Sequence, residues 1–240
     1  MVIPTLEGKT GRLAAIPVVV LLALGLASCG KVAAEFDVNA DNTVEESFVL
    51  AASEDWLEQT AGTKGVSYDA ALAEFRDLVE ESIEQEAFGA GGDGSYTDFK
   101  ERGFAGVRWT ARNPVSLDEF NLGDGEGENE STYITVTRVG DDFQVEGAVD
   151  LSFPEMSEGV TSVGGSPDEL SVEIRMTFPG KVKSGSGRID GRSITFSPEL
   201  GEVTELKAVA SAKPMVNLLL MAAGGVTLLL VVVVVVLALA

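Results

Sequence analysis

Two uncharged apolar runs bracket this 240-residue chain, Leu13 to Leu26 near its start and Val216 to Ala240 at its end. The second run has only Asn217 and Thr227 as polar side chains. As a helix its 25 residues span about 37 Å, enough for a hydrocarbon core of about 30 Å. Pro214 stands just before it, where a helix tolerates proline. Core helices are rarely apolar all round for so long. Residues 215–240 are therefore expected to form a transmembrane helix. No Lys or Arg follows it, so its orientation rests on the other end of the chain.

That other end reads as an export signal. Lys9 and Arg12 outweigh Glu7, the apolar run follows, and Ala27-Ser28 precede Cys29. The pattern resembles a bacterial lipobox, which implies a signal peptide over 1–28, cleavage before Cys29 and diacylglyceryl transfer to its sulfur. Cys29 is the only cysteine, so no intramolecular disulfide forms, and a lone thiol in an exported protein otherwise lacks a partner. One acyl anchor holds marginally, whereas a spanning helix is effectively permanent. Lipid at Cys29 would thus set the posture of the domain between the anchors. A strand pattern begins at Lys31 with no Ser/Gly-rich tether, and little chain separates the last strand pattern from Val216. Both ends of the domain are expected at headgroup level, with one of its faces close to lipid.

The charge is −21, from 38 acidic and 17 basic side chains. Such a surface repels nucleic acid and anionic headgroups and favours solubility. Residues 29–210 are long enough for one extracytoplasmic domain with a single core. Val32, Ala34, Phe36 and Val38 alternate with polar residues as a strand does, Asp41-Asn42 turns, and Val44 to Leu50 returns. Ser53 caps a short helix from Glu54 to Gln59, broken by Gly62 and Gly65. Ser67 opens a longer one through Ile83, with Ala71, Leu72, Phe75, Leu78, Val79 and Ser82 as its inward stripe. Strand patterns follow at Tyr96–Phe99, Phe104–Trp109, Tyr133–Val136, Phe143–Leu151, Leu170–Phe178 and Ser193–Phe196, with an edge strand at Leu206–Val209. A turn of helix is expected at Leu117–Phe120, and loops at 89–94, 123–130 and 154–167. The sum is α+β: an antiparallel sheet with two or three helices packed on it.

Several stretches together resemble the LppM-like lipoprotein family of actinobacteria. They are Lys31 to Val44, Gly103 to Arg108 with Pro114 to Phe120, and above all Phe178-Pro-Gly-Lys-Val182, followed by Gly187, Gly191 to Phe196 and Leu200 to Leu206. The lipobox and terminal apolar run fit the same architecture. The resemblance implies an envelope lipoprotein, and its best-known member looks like a binder of mannosylated phosphatidylinositol glycolipids. A basic tail after the terminal helix is missing here, and the surface is unusually acidic.

Histidine is absent, which removes the commonest general base and metal ligand. No Gly-x-Ser-x-Gly elbow or Ser-x-x-Lys supplies a nucleophile. No catalytic site and no cofactor are expected. Asp37 to Glu45 superficially matches the start of a calcium loop, but Asn42 and Phe48 occupy positions that need glycine and an acid. A hairpin turn explains it better, and no metal is expected.

One stretch opposes the global charge. Arg175, Lys181, Lys183, Arg188 and Arg192 carry only Asp190 among them. They are the candidate contacts for anionic lipid headgroups, each nearby base adding about 1 kcal/mol before screening. Lys100, Arg102, Arg108 and Arg112 form a second basic group, diluted by Glu101. Trp56, Phe75, Phe104, Trp109, Phe143 and Phe178 read most simply as core, with room for an acyl-chain cavity between helix and sheet. The expected function is therefore a non-enzymatic, membrane-anchored module for envelope lipid or glycolipid. A structural lipoprotein that engages an envelope protein partner is the alternative.

Overall fold

The alternating strand that opens at Gly30 is the centre of a sheet, not its margin. A computed structural model describes residues 30–82, 93–122, 132–152 and 170–214. The signal segment, Cys29, the terminal apolar run and most or all of the three expected loops lie outside them. Among the described residues no helix is long and apolar enough to cross a membrane.

Strands β1 (Gly30–Val38) and β2 (Thr43–Ser53) form the expected hairpin, with Gly30 opposite Ala52 and Val38 opposite Val44. Its turn is closed by Asn39 N donating to Thr43 O at 2.8 Å and by Thr43 Oγ1 on Asp41 Oδ1 at 2.7 Å. Asn42 takes φ 67°, a left-handed conformation that asparagine tolerates better than most residues. The hydrogen-bonded turn accounts for this acidic segment.

Ser53 Oγ accepts from Trp56 N at 3.2 Å and starts helix α1 (Glu54–Lys64). The helix runs through Gly62 and stops only at Gly65, where φ is 69°. Interior glycine costs a helix about 1 kcal/mol, which packing of Leu57 and Ala61 outweighs. Ser67 Oγ accepts from Ala70 N and opens helix α2 (Tyr68–Ser82). Ala71, Phe75 and Val79 are buried on it, while Leu78 is 41% exposed and so falls outside the inward stripe.

Next come β3 (Gly94–Glu101) and β4 (Phe104–Ala111), joined through Arg102 (φ 52°) and Gly103 (φ 82°). At Leu117–Phe120 there is a turn and no helix. Ser116 O accepts from Glu119 N and Phe120 N between the two-residue strands β5 (Val115–Ser116) and β6 (Asn121–Leu122). Strands β7 (Tyr133–Val139) and β8 (Asp142–Asp150) pair around Gly140. After β9 (Ser171–Thr177) come the short β10 (Val182–Gly185), β11 (Arg188–Asp190) and β12 (Ser193–Phe196), then β13 (Val203–Ser211).

These strands make two sheets, which corrects the expectation of one. The eight-stranded sheet has the order β11-β12-β9-β1-β2-β4-β3, with β5 beside β2. The five-stranded sheet has the order β10-β13-β8-β7-β6. The pairing of β1 with β9 is parallel, so the larger sheet is mixed, not antiparallel. Strand β13 is also longer than Leu206–Val209 and lies inside its sheet, between β10 and β8. The two sheets share one core, in which Phe36, Met176 and Ile194 from the larger sheet join Phe143, Ile134 and Leu206 from the smaller. The helices, two among the described residues, pack on the same inner face through Leu57, Phe75 and Val79. A second, small apolar cluster lies on the outward face of the larger sheet: Ala33, Val49, Ala51 and Phe99, with Phe104 against them.

Candidate anionic-headgroup surface

The parallel pairing of β1 with β9 puts residues distant in sequence into one cross-strand row. Arg188 on β11 stands opposite Thr195 on β12, Thr195 opposite Arg175 on β9, and Arg175 opposite Glu35 on β1. Side chains alternate faces along a strand. Val172, Ile174, Met176, Ile194 and Phe196 point to the core, so Arg175, Thr195 and Arg188 share the outer face. Thr195 is buried, and both arginines are exposed.

Glu35 belongs to a different cation. Arg108 on β4 forms an ion pair with it, adds Nη2 to Oε1 at 3.4 Å and lies over the Phe99 ring at 5.7 Å. Ser47 Oγ donates to the same carboxylate at 3.3 Å. Lys31 takes Glu173 at 3.0 Å, so the two inner acids of this face are neutralised.

Lys181 and Arg192 sit where the chain passes from one sheet to the other. Phe178 N donates to Arg192 O at 3.0 Å, and Val182 N donates to Gly191 O at 3.1 Å. Pro179-Gly180 makes the bend between them. A Cβ on Gly180 would lie 2.3 Å from Lys213 O, so only glycine allows the final stretch of the domain to pass this close. Ser211 N donates to Lys181 O and Gly180 N to Ser211 O, fixing that stretch beside the bend.

Four of the five expected headgroup contacts thus have no carboxylate partner among the described residues: Arg175, Lys181, Arg188 and Arg192. Lys183 differs, because its ammonium is held by both oxygens of Asp142, at 2.5 and 2.7 Å. The second basic group is neutralised throughout. Lys100 pairs with Glu54 at 2.7 Å, Arg102 with Glu101 at 3.5 Å, Arg108 with Glu35 and Arg112 with Asp93 at 2.7 Å. The hydrogen bond and charge of Glu54 hold the Lys100 amine above its ordinary range. Apart from Glu101, which adjoins Arg102, these partners lie 19 to 73 positions away or on another element, where sequence spacing does not reveal them.

The expected core aromatics are placed unevenly. Phe75, Trp109, Phe143 and Phe178 are buried, whereas Trp56 is half-buried against Phe75 and Phe104 covers the outward cluster. The space between the helices and β4 is occupied by Leu57, Phe75, Val79, Val107 and Trp109. A groove of about 430 Å³ lies elsewhere, on the outward face of the five-stranded sheet between Gly185, Ser186, Lys207 and Gln144. Sequence reasoning did not single it out; the small residues Ser184 to Ser186 beside a β-bulge were the available signal. Tyr133, Val139 and Val203 on the strands of this sheet are each at least 40% exposed.

No curated protein matches the sequence. Among solved structures, the folded domain of Mycobacterium tuberculosis LppM, determined by NMR, matches with 17% identity and a TM-score of 0.41. The match covers 78% of this chain and 92% of that one. The model of the LppM domain matches residues 31–212, nearly the whole of the described fold, and the chain belongs to the LppM domain family.

Proposed function

We propose that the protein is a membrane-anchored extracytoplasmic lipoprotein that binds the anionic headgroups of envelope phospholipid or glycolipid through Arg175, Lys181, Arg188 and Arg192. Family membership supports the lipoprotein part. One observation carries the rest: in a chain of charge −21, these four cations lie between positions 175 and 192 and lack an acid partner among the described residues. Pairing neutralises the other described lysines and arginines, except Arg138, which donates to Ala40 O, Asn42 Oδ1 and Gly140 O.

Global repulsion does not cancel this attraction. At physiological ionic strength the screening length is about 8 Å, so a lipid headgroup responds to the charges beside it. Four bases at about 1 kcal/mol each give about 4 kcal/mol before screening, close to a thousandfold in affinity. The test uses the full chain in zwitterionic detergent micelles doped with a dansylated phospholipid. Energy transfer from tryptophan should saturate with anionic lipid, weaken steeply with salt and be absent with zwitterionic lipid. Equal transfer from both lipids would remove the reading.

A protein-partner role is favoured by a different feature, the exposed Tyr133, Val139 and Val203 on the strands of the five-stranded sheet. Crosslinking in intact cells from Thr137, on that sheet, separates the two. A single dominant protein adduct supports the partner role, and lipid adducts from the Arg175 face support the first.

A further inference from the structure

The chain enters the described fold at Gly30 and leaves it at Pro214, and these two points lie at opposite ends of one strand. Lys31 stands opposite Ser171, the first residue of β9. Lys213, in contrast, packs against Gly180, just past the last residue of β9. Ser171 to Thr177 spans about 20 Å at about 3.3 Å per residue, so entry and exit are held roughly that far apart along the strand direction. Cys29 directly precedes Gly30, and only Met215 separates Pro214 from the apolar run. Neither junction contains a tether that could absorb this separation.

We infer that the domain lies on its side on the membrane, with the strands of the eight-stranded sheet parallel to the bilayer plane and the outer face of β9-β12-β11 turned towards an anionic lipid surface. The inference rests on the two-anchor, headgroup-binding reading above and adds to it a direction and a face. Two attachment points about 20 Å apart on one plane leave a single freedom, rotation about the line joining them. Charge then selects the rotation. The outer face carries Arg175 and Arg188, with Arg192 and Lys181 at its exit end; Asp190, Asp37 and, opposite Asp37 on β2, Glu45 are its acids without a cation partner among the described residues. The opposite side carries α1 and α2, with eight acidic side chains against Lys64 and Arg76. An anionic surface attracts the first side and repels the second. The outer face is also nearly flat in composition: Thr177, Ser193 and Thr195 are short hydroxyl side chains that let the longer arginines reach past them.

Cysteine usage makes the test clean. Cys29 is the only thiol and is consumed if acylated, so an introduced cysteine is the only site for a thiol-reactive dye. Full-length Thr177→Cys (outer face of the larger sheet) and Thr137→Cys (outer face of the smaller) are labelled and reconstituted into liposomes containing phosphatidylglycerol and a headgroup-nitroxide lipid. Quenching should be several-fold stronger at 177 than at 137, with the ratio falling towards one when Arg175, Arg188 and Arg192 are replaced by Gln. Equal quenching at the two sites, or stronger quenching at 137, overturns the orientation while leaving headgroup binding standing. Dye incorporation into the unsubstituted chain shows a free Cys29 and overturns the two-point attachment from which the orientation is argued, again leaving headgroup binding standing.

Discussion

Arg138 Nη1 donates to Asn42 Oδ1 at 2.9 Å and to Ala40 O at 3.0 Å, so one guanidinium ties the β7–β8 turn of the smaller sheet to the β1–β2 turn of the larger. Its carbon also lies 5.6 Å from the centre of the Phe143 ring. Lysine could not reproduce this fork, because it is a point donor without a planar array. Arg138→Gln is expected to lower stability by about 1–2 kcal/mol, hydrogen bonds from charged groups being worth about that much. Thermal unfolding followed by circular dichroism should show a fall of a few degrees, and an unchanged midpoint would show that the sheets are held by their shared core alone.

Two glycine substitutions should act in opposite directions. A Cβ at Gly106 would lie 2.2 Å from Leu50 O and 2.6 Å from Ala51 Cα, both backbone atoms of the central strand β2. Gly106→Ala is expected to cost about 3 kcal/mol or to prevent folding, since the sheet cannot move aside. At Gly62, inside α1, a Cβ would meet nothing within 4 Å, and Gly62→Ala should gain about 0.5–1 kcal/mol. Urea unfolding of both variants checks the signs.

Glu35 stands between Arg108, which it pairs, and Arg175, which it faces across the register. Glu35→Gln removes the acid of that row and leaves Arg108 as an added free cation. Affinity for anionic lipid should rise about fivefold, one base being worth about 1 kcal/mol at such a surface. Stability should fall at the same time, because Ser47 Oγ and Arg108 lose a charged acceptor. A variant that binds anionic lipid less tightly would contradict the assignment of this face.

The exit of the domain is tied by charge. The Lys213 ammonium, through its hydrogen bond first and its charge second, holds the Asp141 carboxyl below its ordinary value of 3.8, and Asp141 in turn raises Lys213 above 10.5. A depressed carboxyl stabilises the fold above its ordinary range and loses that contribution as pH falls through the lowered value. The raised amine contributes below 10.5 and loses its share as pH rises through the raised value. The tie is therefore intact from mildly acidic to mildly alkaline pH and fails only at the extremes. Carboxyl carbon NMR should show Asp141 titrating at higher pH in Lys213→Gln than in the parent chain, and coincident curves would remove the tie.

Local chemistry was readable wherever a decision depends on neighbours in the chain. The alternation in Val32–Val38, the turn at Asp41-Asn42 and the cap at Ser53 each follow from a few adjacent residues, and the structure bears them out. The likeness of Lys31–Val44 and Phe178–Val182 to the LppM family is borne out as well. Pairing between distant strands was not readable. Nothing in Leu170–Phe178 announces that β9 runs parallel to β1, and without that register Arg175, Arg188 and Glu35 are three unrelated charges. The expected edge strand Leu206–Val209 falls short of β13 because Thr204 and Glu205 weaken the apolar signal ahead of it, although Glu205 and Lys207 alternate outward as an exposed sheet face requires. The neutralised basic group shows the same limit: Arg108 and Glu35 are 73 positions apart, and only the sheet brings them together.

The most direct measurement compares two variants of the full chain that change net charge equally. One replaces Arg175, Lys181, Arg188 and Arg192 by Gln, and the other replaces Lys100, Arg102, Arg112 and Lys207, each of which has a carboxylate partner. Binding to phosphatidylglycerol-doped micelles should fall about a hundredfold or more in the first, and by much less in the second, if four unpaired cations form the contact. Equal losses in both variants would mean that only total charge matters, and an undiminished first variant would show that lipid meets the protein somewhere else.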